Sequence, residues 1–172
     1  TQSRSSAASD VYKRQSEGST FNAYASIREI NRMLAEEGSE SAIAYARSKF
    51  ISQPSLALAY RLAQLYASEA KDREAVEVLK IIRFMTRFSS DDFVLVQKIA
   101  NFLHKRGEGE MAFNVYKNLL EERDLDKQLK ISLYEGGARI AAAQNEPVIA
   151  SRWDLEARKL KSPPTPKPTN GK

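Results

Sequence analysis

No cysteine occurs anywhere in the 172 residues, and histidine and tryptophan occur once each. The missing thiols exclude a disulfide framework, a thiolate metal site and a cysteine nucleophile together. They leave the compartment open between a reduced cytosol and a disulfide-free periplasm; a cytoplasmic protein is the expectation. The lone imidazole, His104, has no second histidine or cysteine to join it in a metal or catalytic set. It reads as a surface histidine near the C-terminal end of a helix. Long apolar runs are missing too. The longest uncharged stretch of the folding part, Phe50 to Tyr60, has eleven residues and contains Pro54, far short of the roughly 20 that a membrane helix needs. No phosphate-cradling loop is present, because Gly107-Glu108-Gly109 lacks the further glycine or lysine that would hold a nucleotide. The acidic pairs Glu36-Glu37, Asp91-Asp92 and Glu121-Glu122 fall at predicted helix ends, where carboxylates cap or stay solvated and do not converge on a reacting atom. The sequence therefore reads as non-enzymatic, and no cofactor or metal is expected.

The formal charge of +5 is concentrated at the two ends. Residues 5–15, Ser-Ser-Ala-Ala-Ser-Asp-Val-Tyr-Lys-Arg-Gln, resemble the in-frame translation of a sequencing adaptor, so residues 1–15 are set aside from fold and function. Residues 162–172 hold four of the six prolines and no large apolar side chain. Such a segment buries too little to order itself and is expected to be a disordered tail with polyproline II character. Its P-x-x-P spacing at Pro163 to Pro166 reads as an ordinary feature of a proline-rich run. With both ends removed, residues 16–161 carry only +1. That near-neutral body disfavours a nucleic-acid partner. The basic-aromatic series Lys80, Arg83, Phe84, Arg87, Phe88 reads as amphipathic packing, since Phe84 and Phe88 share one helix face.

What the chain does contain is helical periodicity. Phe21, Tyr24, Ile27, Ile30, Met33 and Leu34 step by three and four residues, predicting a helix from Thr20 to about Glu37 that ends at Gly38. Ser39-Glu40-Ser41 is expected to cap a second, alanine-rich helix reaching about Ile51. Pro54 suits a first helical turn, so the next helix is placed from about Gln53 to Glu69, with a partner from about Asp72. Ser89 to Asp92 predicts a capped start for the hairpin Asp91 to Arg123. A longer helix from Leu125 to about Gln144 is interrupted by Gly136-Gly137. Those glycines are expected either to admit a close neighbour or to bend the helix. A last helix, Val148 to about Lys161, carries Trp153, which could cap the end of the core.

Within this pattern one helical sentence is written twice. Leu62-Ala63, Tyr66, Ala70-Lys71, Ala75 and Leu79 recur 37 residues later as Ile99-Ala100, Leu103, Gly107-Glu108, Ala112 and Tyr116. A weaker copy follows at Gly137-Ala138, Ala141, Asn145-Glu146 and Ala150, and a fourth at Ile30, Leu34, Gly38 and Ala42 if its turn is one residue short. Fixed self-offsets of this size mark stacked helix hairpins. These residues resemble the tetratricopeptide-repeat family over about residues 20–161. The spacing departs from the family's 34 residues, the closing proline is missing, and Ala59 or Val96 stands where a large residue is usual. A HEAT-like or generic hairpin array is the near alternative.

The resemblance implies an all-α, right-handed α-solenoid of about four antiparallel hairpins and eight helices. It also implies a groove lined by the first helices that takes a protein or peptide partner. The groove-facing positions it implies are Tyr60, Gln64 and Ser68, then Gln97, Asn101, His104 and Lys105, then Glu135 and Arg139. The Lys–Asn signature by which some members grip a terminal carboxylate is met only at Asn101, with Gln97 where the lysine should be, so that activity is not carried over. The function expected is that of an adaptor, assembly factor or chaperone-like scaffold. The alternatives are a nucleic-acid-binding helical repeat, or the repeat segment of a larger enzyme or envelope protein.

Overall fold

A computed structural model of the chain describes residues 23–84, 92–122 and 125–162. The expectations for residues 1–22, for Phe88 to Asp91, for Arg123 and Asp124 and for the proline-rich segment lie outside the described residues. Among those described there is no strand; they form eight α-helices, the fourth of them extended by a short 3₁₀ segment. They are α1 (23–36), α2 (Ser39–Ser52), α3 (Leu56–Ser68), α4 (Asp72–Leu79) with its 3₁₀ extension Lys80–Phe84, α5 (Phe93–Lys105), α6 (Gly109–Glu121), α7 (Lys127–Ala143) and α8 (Pro147–Lys161). The chain divides into two compact units, residues 1–85 and 86–172.

In the first unit, α3 packs on α2 and on α4. Its periodic leucines Leu58, Leu62 and Leu65 form a core with Ala23, Ile30, Ala42 and Ala46. Each fully buried leucine contributes on the order of 2 kcal/mol. Ala63 and Ala75, on the two helices of the α3–α4 pair, are both fully buried, as expected where neighbouring backbones come close. In the second unit, α6 packs between α5 and α7, α7 pairs with α8, and α5 touches α7. Val96, Ile99, Ala100 and Leu103 of α5 and Ala112, Tyr116 and Leu119 of α6 are fully buried.

Three of the four turns between paired helices share one backbone geometry. Ala70, Gly107 and Asn145 each take positive φ, at 56°, 86° and 58°. One residue later, the amides of Lys71, Glu108 and Glu146 donate to the carbonyls of Tyr66, Leu103 and Ala141, at 2.9, 3.0 and 2.9 Å. This is the six-to-one bond that closes a helix through a left-handed residue. In the first hairpin Gly38 has φ 94°, itself donates to Met33 O at 3.1 Å and directly precedes α2, so that turn is one residue shorter.

Three local expectations are corrected, and of the two readings of Gly136-Gly137 the close neighbour holds. Pro54 is outside α3: Ser55 is the N-cap, and its hydroxyl accepts from the Leu58 amide at 3.3 Å. A serine oxygen satisfies a first-turn donor that proline leaves open, and proline holds the preceding residue extended, which ends α2. The cap of α2 is Gly38, with Ser39 to Ser41 inside the helix and no side-chain capping bond. α7 begins at Lys127 because Asp126 accepts from the Leu129 amide at 2.9 Å. It also runs unbroken through Gly136-Gly137, and the reason is close packing. A Cβ at Gly136 would lie 2.5 Å from the Tyr116 hydroxyl, and one at Gly137 would lie 2.8 Å from the Trp153 ring. Trp153, 9% exposed, also meets Phe113 with ring centroids 5.7 Å apart.

These contacts predict opposite outcomes for two small substitutions. Gly137→Ala destabilises the protein, because overpacking costs about 1–3 kcal/mol against about 1 kcal/mol gained by removing a helical glycine. Ala70→Gly stabilises it by about 1 kcal/mol by relieving a left-handed alanine. Urea unfolding midpoints that move the same way for both variants would contradict this packing.

Candidate functional site

In the second unit three of the positions expected to face a groove, Gln97, Asn101 and Arg139, lie around one buried hydroxyl. Tyr116 projects from α6 with its side chain fully buried. A buried phenol needs a partner, and its O–H donates to Asn101 Oδ1 on α5 at 2.9 Å. Gln97, one turn earlier on α5, donates through Nε2 to Ser132 Oγ on α7 at 2.9 Å. Burial raises the Tyr116 pKa above the ordinary 10.0, while the side chains of Gln97 and Asn101 and the charge of Arg139 act in the opposite direction. Gln97, Asn101 and Arg139, three of the expected positions, therefore belong to one cluster spanning α5, α6 and α7.

The other expected positions divide. His104 and Lys105 continue the α5 stripe into its last turn; Lys105 is exposed. His104 is half-buried, with Nδ1 enclosed and without a hydrogen-bond partner, which corrects the expected surface histidine. The helix turns it partly inward beside Leu103. Glu135 pairs with Lys161 of α8, so its charge is taken up by its own hairpin. In the first unit, Gln64 accepts from Arg61 Nη1 at 3.5 Å, and Ser68 Oγ donates back to the Leu65 carbonyl at 2.7 Å. Tyr60 lies half-buried on the same helix. Burial lowers the Arg61 pKa, and its Nε is enclosed without a hydrogen-bond partner.

Sequence reasoning missed Tyr116, Ser132 and Gly136 as members of the cluster. A signal was present for Tyr116: it takes the place of Leu79 in the repeat, and a hydroxyl substituted into an apolar register must find a polar neighbour. A cleft of about 490 Å³ on the same unit was also missed. It lies between Lys117, Leu120 and Glu121 of α6 and Ile149, Arg152, Trp153 and Glu156 of α8, with Tyr134 of α7.

The α5 stripe Gln97, Lys98, Asn101, His104, Lys105 has helical spacing along one face. Val94, 52% exposed, extends it toward the N-terminal end. No aspartate or glutamate occurs in α5. Among the described residues, no group of three or more His, Cys, Asp or Glu could hold a metal ion. No helix among them is long and apolar enough to cross a membrane. The sequence matches no protein-family model and no curated protein.

Tyr116→Phe removes the donor to Asn101 and costs about 1 kcal/mol. The folded phenol ionises at higher pH than the unfolded one, so its stabilising contribution is complete below pH 10.0 and is lost as pH rises beyond it. Wild type should therefore exceed the variant in unfolding free energy between pH 6 and 9, and the gap should shrink in alkaline solution. A gap that widens above pH 10 would contradict the assigned burial.

Proposed function

We propose that this chain is a non-enzymatic protein–protein interaction module of tandem helix hairpins, of tetratricopeptide-like type within each unit. The second unit presents α5 and α7 to a peptide or partner segment. The observation that carries the reading is the Gln97–Asn101–Tyr116–Ser132 cluster with Arg139 beside it. It spends buried hydrogen bonds on orienting polar side chains at a helix face, where an apolar core would need none. Two further facts support the repeat itself: the left-handed turn residues recur at intervals of 37 and 38 residues, and α5 lies beside α7, as neighbouring first helices do in a stacked array. An adaptor, assembly factor or chaperone-like scaffold is the class of protein that uses such a face. Fold alone would not support this, because hairpin arrays serve many unrelated roles.

The double variant Gln97→Ala, Asn101→Ala tests the reading in affinity capture from native extract. Proteins retained by wild type should be lost at least tenfold with the variant, while its helical circular dichroism is unchanged. An unchanged set of retained proteins would refute the α5–α7 face as the binding site.

A further inference from the structure

The cleft between α6 and α8 takes no residue from α5 and is separate from the Gln97–Asn101 cluster. At about 490 Å³ it falls within the roughly 300–1,000 Å³ of clefts that hold a ligand. Its floor is apolar: Leu120, Tyr134 and Ile149 are half-buried there and Trp153 is buried. Its rim is charged, with Lys117 and Glu121 four residues apart on α6 and Arg152 and Glu156 four apart on α8. Glu156 already accepts from Lys159 at 2.8 Å. Glu121 ends α6, Glu122 follows as its C-cap, and the last turn holds no basic residue. Carboxylates there add to the negative end of the helix dipole, so this mouth of the cleft favours a cation.

The chain carries a segment of matching chemistry. Residues 163–172, which follow α8, contain four prolines, Lys167 and Lys172, and no acidic or large apolar residue. A proline-rich chain in the polyproline II conformation docks on aromatic-lined grooves at low ordering cost, because its backbone is fixed beforehand. Ser162, the last described residue, has φ −64° and ψ 139°, so the chain leaves α8 close to that conformation. The reach suffices. Glu156 and Ile149 lie six and thirteen residues before Ser162, about 9 and 20 Å back along α8, whereas ten residues of polyproline II span about 31 Å. A tethered segment also meets its site at an effective concentration on the order of millimolar, so it fills the cleft at affinities too weak to recruit a free ligand.

We propose that the α6–α8 cleft is the docking site of the chain's own residues 163–172, Pro166 and Pro168 resting on the floor at Tyr134 and Trp153 and Lys167 meeting Glu121. The occupied cleft closes this side of the second unit to outside proline-rich chains, which must first displace the segment.

Trp153 is the only tryptophan and reports on the cleft without a label. Its indole N–H resonance and its quenching by acrylamide are compared in the full chain and in a chain ending at Ser162. Removing the segment should shift the indole resonance and the amides of Leu120, Glu121, Ile149 and Glu156, and should increase quenching. The full-length double variant Pro166→Gly, Pro168→Gly should reproduce those shifts with α8 intact. A capped peptide of residues 162–172 added to the shortened chain should restore the full-chain positions. Lys167→Glu in that peptide should weaken it about threefold, the loss of one exposed ion pair, and Glu121→Lys in the protein should recover the loss. The full chain should give one spectrum at every protein concentration. Shifts limited to the last turn of α8, or a peptide that leaves the shortened chain unchanged, would overturn the proposal. Shifts that grow with concentration would overturn docking within one chain in favour of a second copy's segment. Capture of proteins through Gln97 and Asn101 should be unaffected by the truncation, so the cleft and the α5–α7 face are decided separately.

Discussion

Two helices pack side by side only if their backbones can approach, and in this chain that condition is met by residues with little or no side chain at the crossing points. Ala63 and Ala75 are fully buried in the first unit, as are Ala100 and Ala112 in the second. Gly136 and Gly137 carry the same constraint furthest. They leave no room for a Cβ because the Tyr116 hydroxyl and the Trp153 indole already stand against them. α7 tolerates two adjacent glycines, a cost of roughly 1 kcal/mol each in helix propensity, because aromatic side chains from both flanking helices bury there.

The close approach at Gly136 links the core to the face. Tyr116 is a core residue by its ring and a surface organiser by its oxygen, which reaches past α6 to Asn101. Gly136 leaves room for the Tyr116 hydroxyl, and a polar cluster stands where the sequence 37 residues earlier has Leu79. Asp154 on α8, 38 residues after Tyr116, instead pairs with Arg158 at 2.6 Å.

Much of the architecture was legible in the sequence because it is local. Helical periodicity and the turn residues Ala70, Gly107 and Asn145 are set by neighbours within a few positions. Even the one-residue shortening of the first turn could be read from Gly38. Helix starts were read less well, since Pro54 and Ser55 are both plausible first-turn residues, and only the hydroxyl's bond to the Leu58 amide decides between them. The site was half legible. Gln97, Asn101 and Arg139 follow from counting along the first helices, but their meeting point does not. It depends on Tyr116 crossing from α6 and on Ser132 lying 35 residues from Gln97, long-range facts that no periodicity encodes. Glu135 shows the converse: counting put it on the groove face, yet its charge is taken by Lys161, which belongs to the next helix.

The central claim is that α6 and α8 press aromatic side chains against the glycine pair of α7, and that this approach sets out the polar face between α5 and α7. Nuclear Overhauser spectroscopy of the labelled protein tests it directly. The account predicts cross-peaks from the Tyr116 ring protons to the α-protons of Gly136, and from the Trp153 indole protons to those of Gly137. Cross-peaks from either ring to other helices, with none to the glycine pair, would contradict it.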